Sequence, residues 1–129
     1  IKAFDTTIDK ADPAMVMMAL ATYQAIDPND PAVFSSIIID GHLRGDLGYD
    51  GVVISDSMSA AAVSAYDTTQ LGVKLVEAGG DLACIGDTNY VAPILDGLST
   101  RAASDPAFAN KVTQSAIRVM TLKIKMGLA

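Results

Sequence analysis

Three apolar runs recur along this chain at a spacing of roughly 30 residues, the length of a strand–helix repeat. They begin near residues 15, 52 and 82: Met15 to Ala21, Val52-Val53-Ile54, and Leu82-Ala83-Cys84-Ile85. The central run is β-branched and does not alternate with polar residues, so it reads as a strand buried on both faces, as in parallel sheets flanked by helices. Each run is followed by a stretch with helical spacing, and alternation of this kind means an α/β fold with parallel strands. Three such strands leave sheet edges and an inner surface unsatisfied, so the pattern calls for the rest of a barrel or for a second chain.

The helices carry their own signals. At Asp30-Pro31 the acid supplies a side-chain acceptor at the N-cap, and proline in the first helical position has a fixed φ and no amide to leave unpaired. Val33, Phe34, Ile37, Ile38 and Leu43 follow at helical spacing, which predicts a helix over about 31–45. A second helix is expected over about 67–78, with Leu71, Leu75 and Val76 inward and Gly79-Gly80 closing it. Val91, Ile94, Leu95 and Leu98 predict a short helix. Asp105-Pro106 repeats the cap signal before a last helix reaching about residue 125, with Phe108, Val112, Ala116, Val119, Met120 and Ile124 inward.

Where the central strand ends, Ser55-Asp56-Ser57 brings in small polar groups. In open parallel sheets and in (β/α)8 barrels, functional side chains collect at the C-terminal strand ends, where loops rather than packing choose the residue. Asp56 is therefore the first candidate for chemistry. The competing local reading makes it the N-cap of a helix over the following Ser-Met-Ser-Ala-Ala-Ala stretch.

Composition excludes several function classes. With 129 residues and 50% hydrophobic content the chain suffices for one core, and a net charge of −6 lacks the clustered cations that bind nucleic acid or anionic membrane. No apolar run approaches the roughly 20 residues of a membrane span, and the first residues lack a signal-peptide layout. The lone Cys84 is expected to be a buried, inert thiol, and Met15, Met17 and Met18 to be core filler. One His, one Cys and scattered acids offer no metal-ligand cluster. A Ser-His-Asp triad would have to use His42, which the pattern assigns to a solvated helix end without a catalytic role, and no Gly-x-Ser-x-Gly elbow occurs. No phosphate loop is present, because Gly45, Gly48 and Gly51 precede the strand. Asp46 and Asp50 lie in a helix-to-strand loop, where stability rather than catalysis is expected.

Four motifs in order resemble the catalytic domain of glycoside hydrolase family 3. Leu43-Arg44 to Leu47-Gly48-Tyr49-Asp50-Gly51, leading into Val-Val-Ile-Ser55-Asp56, is similar to the leader and strand 7 of that family. Ala78-Gly79-Gly80-Asp81 resembles its turn into strand 8. Val16 to Tyr23 with Ile26-Asp27-Pro28 resembles strand 6 and its loop, and the closing stretch Arg118 to Leu128 resembles the Lys- and Arg-containing helix that often finishes the domain. The resemblance covers essentially the whole chain. It implies that residues 1–129 are a single partial domain, strands 6 to 8 with their helices from a TIM (β/α)8 barrel.

By the same resemblance Asp56 is the nucleophile of a retaining hydrolase acting on terminal β-linked N-acetylglucosamine, for instance in peptidoglycan fragments, with no cofactor and no metal. Ser57 and Met58 stand where the β-glucosidase branch tends to have Trp next, which favours the N-acetylglucosaminidase branch and makes Met58 a candidate substrate contact. Leu20 occupies a position where the family often has His, and Ser57 one where a second acid is common. The family's proton donor, a His on a loop after strand 5, has no counterpart here, which implies inactivity of the chain alone. A non-catalytic half-barrel that self-associates through its open edges is the reading from a different class. Localisation is left open.

Overall fold

The computed structural model describes residues 2–129. Helix α1 spans Lys2–Ala11 and buries no residue completely; it leads into strand β1, Met15–Met18. Strand β2, Val52–Ser55, lies parallel to β1 in the register Met15↔Val52 to Met18↔Ser55. Three α-helices follow: α2 over Thr68–Glu77, α3 over Val91–Ser104 and α4 over Pro106–Lys125.

The expected third strand is reduced to one parallel bridge, Ile54↔Leu82. Around it, Leu82 donates to the Val53 carbonyl at 3.1 Å and Ser55 to the Leu82 carbonyl at 2.9 Å. Beyond that point β2 has ended. The Cys84 amide takes the Ser55 hydroxyl oxygen at 2.9 Å instead of a backbone partner. Side-chain substitution for a ladder bond is what cuts the strand short.

The helix predicted over 31–45 is not continuous. A tight turn, Ala32–Phe34, is followed by a break at Ser35 and then a wide helix over Ile37–Asp46. In the wide helix Gly41 donates to the Ser36 carbonyl and Leu47 to the His42 carbonyl, five residues back in each case. Wide pitch of this kind is rare, and here it coincides with three consecutive β-branched residues and two glycines, all poor helix formers. Asp30 is not the cap, and Pro31 sits just outside the turn with no side-chain cap beside it. The acid that matters is Asp27, whose carboxylate takes the Asn29 amide at 3.0 Å and the buried Ser35 hydroxyl at 2.6 Å. That bond draws Ser35 out of the helical path.

The other helix starts follow the sequence closely. Asp67 caps α2 by accepting from the Thr69 amide, and Asp105 caps α4 by accepting from Ala107 and Phe108, with Pro106 first in the helix. Gly79 closes α2 at φ +102°, a conformation that side chains disfavour. Helix α3 runs to Ser104, longer than its apolar spacing implies.

One core cluster joins Val16 and Met18 of β1, Val53 of β2, Ile39 and Leu43 of the wide helix, and Leu71 and Leu75 of α2. On the opposite face of the strands Met15 and Met17 are exposed, so two of the three methionines expected as filler are not core. On α4 only Phe108 of the expected inward set is buried; Met120 and Ile124 are exposed, as is Ile117 one turn before. Helical periodicity marks an apolar stripe but does not say whether a neighbour covers it. An apolar cleft of about 220 Å³ also runs between α1, β1 and the wide helix, walled by Phe4, Met17, Tyr23, Ile38 and Leu47. Among the described residues no helix is long and apolar enough to cross a membrane.

Candidate active site

Asp56 is the first residue beyond β2, and its amide donates to the Met18 carbonyl at 3.0 Å, so pairing with β1 continues through it. Its side chain is exposed, and Oδ1 accepts from the Ser57 amide at 2.7 Å. Among the described residues that is the carboxylate's one hydrogen bond, which leaves Oδ2 open to solvent. No helix begins at Ser57: the next helical turn is Ala61–Val63, and Ala60 precedes it without a side-chain cap. The N-cap reading of Asp56 therefore fails on local geometry.

The loop after Asp56 is fastened to the segment that continues from Leu82. Met58 donates to the Cys84 carbonyl at 2.8 Å. The Ser59 hydroxyl oxygen accepts from the Gly86 amide at 3.1 Å and shares a hydrogen bond with the Ser57 hydroxyl at 3.0 Å. Ile54 pairs with Leu82, so two residues on, Asp56 and Cys84 lie on the same face of adjacent segments.

That alternation corrects one expectation, and the path of the loop after Asp56 corrects a second. Ala83 and Ile85 pack on the core, which turns Cys84 to the open face, where it is an exposed free thiol rather than a buried one. Met58, expected at the substrate, is fully buried in the core and presents no side chain to a ligand. Leu20 is partly buried against the same core.

Other candidates lie apart from Asp56. His42 holds the Asp46 carboxylate at 2.6 Å near the end of the wide helix, towards the start of β2, and 38% of its side chain is exposed. Asp50 is exposed in the same connection. Asp27 braces the loop after β1, at the same strand end as Asp56. Its Ser35 hydrogen bond, then the Asn29 amide, holds its carboxyl below the ordinary range. Neither this brace nor the Ser59 fastening was expected, although serines at 55, 57 and 59 in alternation were a legible trace of the second.

A carboxylate held at the C-terminal end of a parallel strand, with helices covering the other face, is the arrangement of enzymes built on (β/α)8 barrels. The sequence matches the Glycosyl hydrolase family 3 N terminal domain over residues 1–122. The chain belongs to this family. It is 34% identical over 115 residues to a beta-hexosaminidase of Psychromonas ingrahamii, covering 87% of this chain and 34% of that protein. The fold superposes on a beta-N-acetylhexosaminidase from Beutenbergia cavernae with a TM-score of 0.90 and 39% identity, covering 95% of this chain and 36% of that one. A family 3 beta-N-acetylglucosaminidase from Paenibacillus sp. gives a TM-score of 0.88 at 32% identity, over 97% of this chain and 24% of the other. This chain thus spans about a quarter to a third of the length of these relatives.

Proposed function

We propose that this chain is the nucleophile-bearing segment of a retaining hydrolase that releases terminal β-linked N-acetylglucosamine, peptidoglycan fragments being one source of substrate. The observation that carries this reading is Asp56, whose carboxylate stands exposed at a strand end with one oxygen held and the other free. Membership of glycoside hydrolase family 3 supports the reaction class. The Ser57-Met58 pair favours the N-acetylglucosaminidase branch over the β-glucosidase branch, where Trp tends to follow the nucleophile.

In the first step Oδ2 of Asp56 attacks the anomeric carbon while the bond to the leaving oxygen breaks and that oxygen takes a proton from an acid. A glycosyl ester of Asp56 results. Water then attacks the same carbon, gives up its proton to the acid's conjugate base, and frees the carboxylate with overall retention. His42 is engaged with Asp46 away from Asp56, and the His-bearing loop that supplies the acid in this family has no counterpart here, so the acid is assigned to residues outside this segment and the segment alone is expected to be inactive. The uncovered Met15, Met17, Ile117, Met120 and Ile124 are surfaces for the remainder of a barrel, with a second copy of this chain as the other occupant.

The test uses the full-length enzyme carrying this segment and a para-nitrophenyl N-acetylglucosaminide. Asp56→Ala is expected to lower kcat about 10³-fold or more. Peptide mass mapping of the trapped ester is expected to place it on Asp56. Undiminished hydrolysis by the variant sinks the assignment.

A further inference from the structure

We infer that Ser59, working with Gly86, is a positioning residue that holds the Asp56 carboxylate in its attacking orientation; the inference rests on the nucleophile reading above. A nucleophilic carboxylate needs one oxygen anchored and the other free, because rotation about its side-chain bonds spreads the attacking atom over several positions. Here the anchor is the Ser57 amide on Oδ1 at 2.7 Å. Ser57 is not within a helix or strand, so the direction of that amide depends on what fixes the loop.

Three bonds fix it. The Met58 amide is held by the Cys84 carbonyl, and the Ala60 amide by the Ser57 carbonyl at 3.0 Å. The third runs from the Gly86 amide to the Ser59 hydroxyl oxygen, and on to the Ser57 hydroxyl. Of the three it is the one made by a side chain, so it can be removed without touching the backbone. On the β1 side the Asp56 amide is already tied to Met18, so the loop after Asp56 is the free variable.

Gly86 is part of the same device. A Cβ there would lie 3.0 Å from the Ser59 oxygen and 3.2 Å from the Ser57 oxygen, closer than such atoms normally sit. Glycine lets the two hydroxyls approach the backbone amide. Gly86 is exposed and has no left-handed φ, so its requirement is one of space beside the serines rather than of backbone conformation.

In the full-length enzyme, Ser59→Ala is expected to lower the rate of glycosyl-enzyme formation about tenfold, about what one hydrogen bond contributes. KM should stay within about twofold, because the interaction acts on the attacking group and not on ground-state binding. Ser59→Thr keeps the hydroxyl and is expected to restore the rate, which a purely packing role would not do. Gly86→Ala should reproduce the Ser59→Ala loss with an unchanged thermal midpoint, and it supplies the readout if Ser59→Ala does not fold. Full activity in Ser59→Ala or Gly86→Ala, or equal loss in the Ala and Thr variants, overturns the inference while Asp56→Ala remains inactive. Activity surviving in Asp56→Ala instead overturns the underlying nucleophile assignment.

Discussion

Asp81 and Arg44 meet at 2.8 Å with the Asp81 side chain wholly buried, joining the turn after α2 to the wide helix 37 residues earlier in the chain. The second Asp81 oxygen takes Arg118 of α4 at 2.8 Å, and the Val53 amide of β2 donates to the first at 2.8 Å. Arg44 also donates to the carbonyls of Gly79, Tyr49 and Gly51. One carboxylate therefore ties α4, β2 and the wide helix together.

Asp81→Ala leaves Arg44 and Arg118 facing each other without their shared anion, and removing one member of a buried ion pair costs about 3–5 kcal/mol. The urea midpoint of the variant should fall accordingly. Because the Val53 amide lies three residues before Asp56, the bonds made beyond β2 should loosen as well; hydrogen exchange at the Met58 amide is expected to accelerate.

Helix α3 meets the backbone of α2 at Gly97, where an added Cβ would overlap the Thr69 carbonyl. The obstacle is backbone, which cannot rotate aside. Gly97→Ala is expected to destabilise by about 1–3 kcal/mol through overpacking, even though alanine is the better helix former. Thermal unfolding of the two forms decides this; an equal or higher midpoint in the variant counts against the packing.

Acid should destabilise the fold through Asp27, Asp67 and Asp105. Hydrogen bonds hold all three carboxyls below their ordinary range: chiefly from Ser35 on Asp27, from the Thr69 side chain on Asp67 and from the Phe108 amide on Asp105. A carboxyl depressed in the folded state contributes stability that is present above its unfolded pKa of about 3.9 and is lost as pH falls through the folded value. Chemical denaturation followed from pH 7 downwards should show little change to about pH 5 and then a decline. Asp27→Asn should flatten part of that decline.

In this segment, with the open strand face uncovered, Cys84 should react as an exposed thiol. A thiol-specific chromogenic reagent is expected to titrate it fully without denaturant. Reaction only after unfolding would return it to the buried state that its apolar neighbours suggest.

Much of the architecture was legible in local signals. Asp105 caps α4 because a cap needs only an acceptor one turn from its donors, and Gly79 ends α2 because few residues tolerate its φ. Asp56 was legible because an apolar run ends in an acid. The break at Ser35 was not, since its cause is Asp27 eight residues earlier. Nor was the outward turn of Cys84, which follows from its register against Asp56, or the inward turn of Met58.

The sequence by itself determined the two paired strands, the helices α2 to α4 and the carboxylate at the strand end, because propensity, capping and apolar period act within a few residues. Tertiary structure alone decided which apolar stripes are covered, that Asp81 gathers two arginines and a strand amide, and that Ser59 and Gly86 fasten the loop beside Asp56. These depend on groups about 27 to 37 residues apart in the chain meeting within hydrogen-bond distance, and no local pattern encodes that meeting.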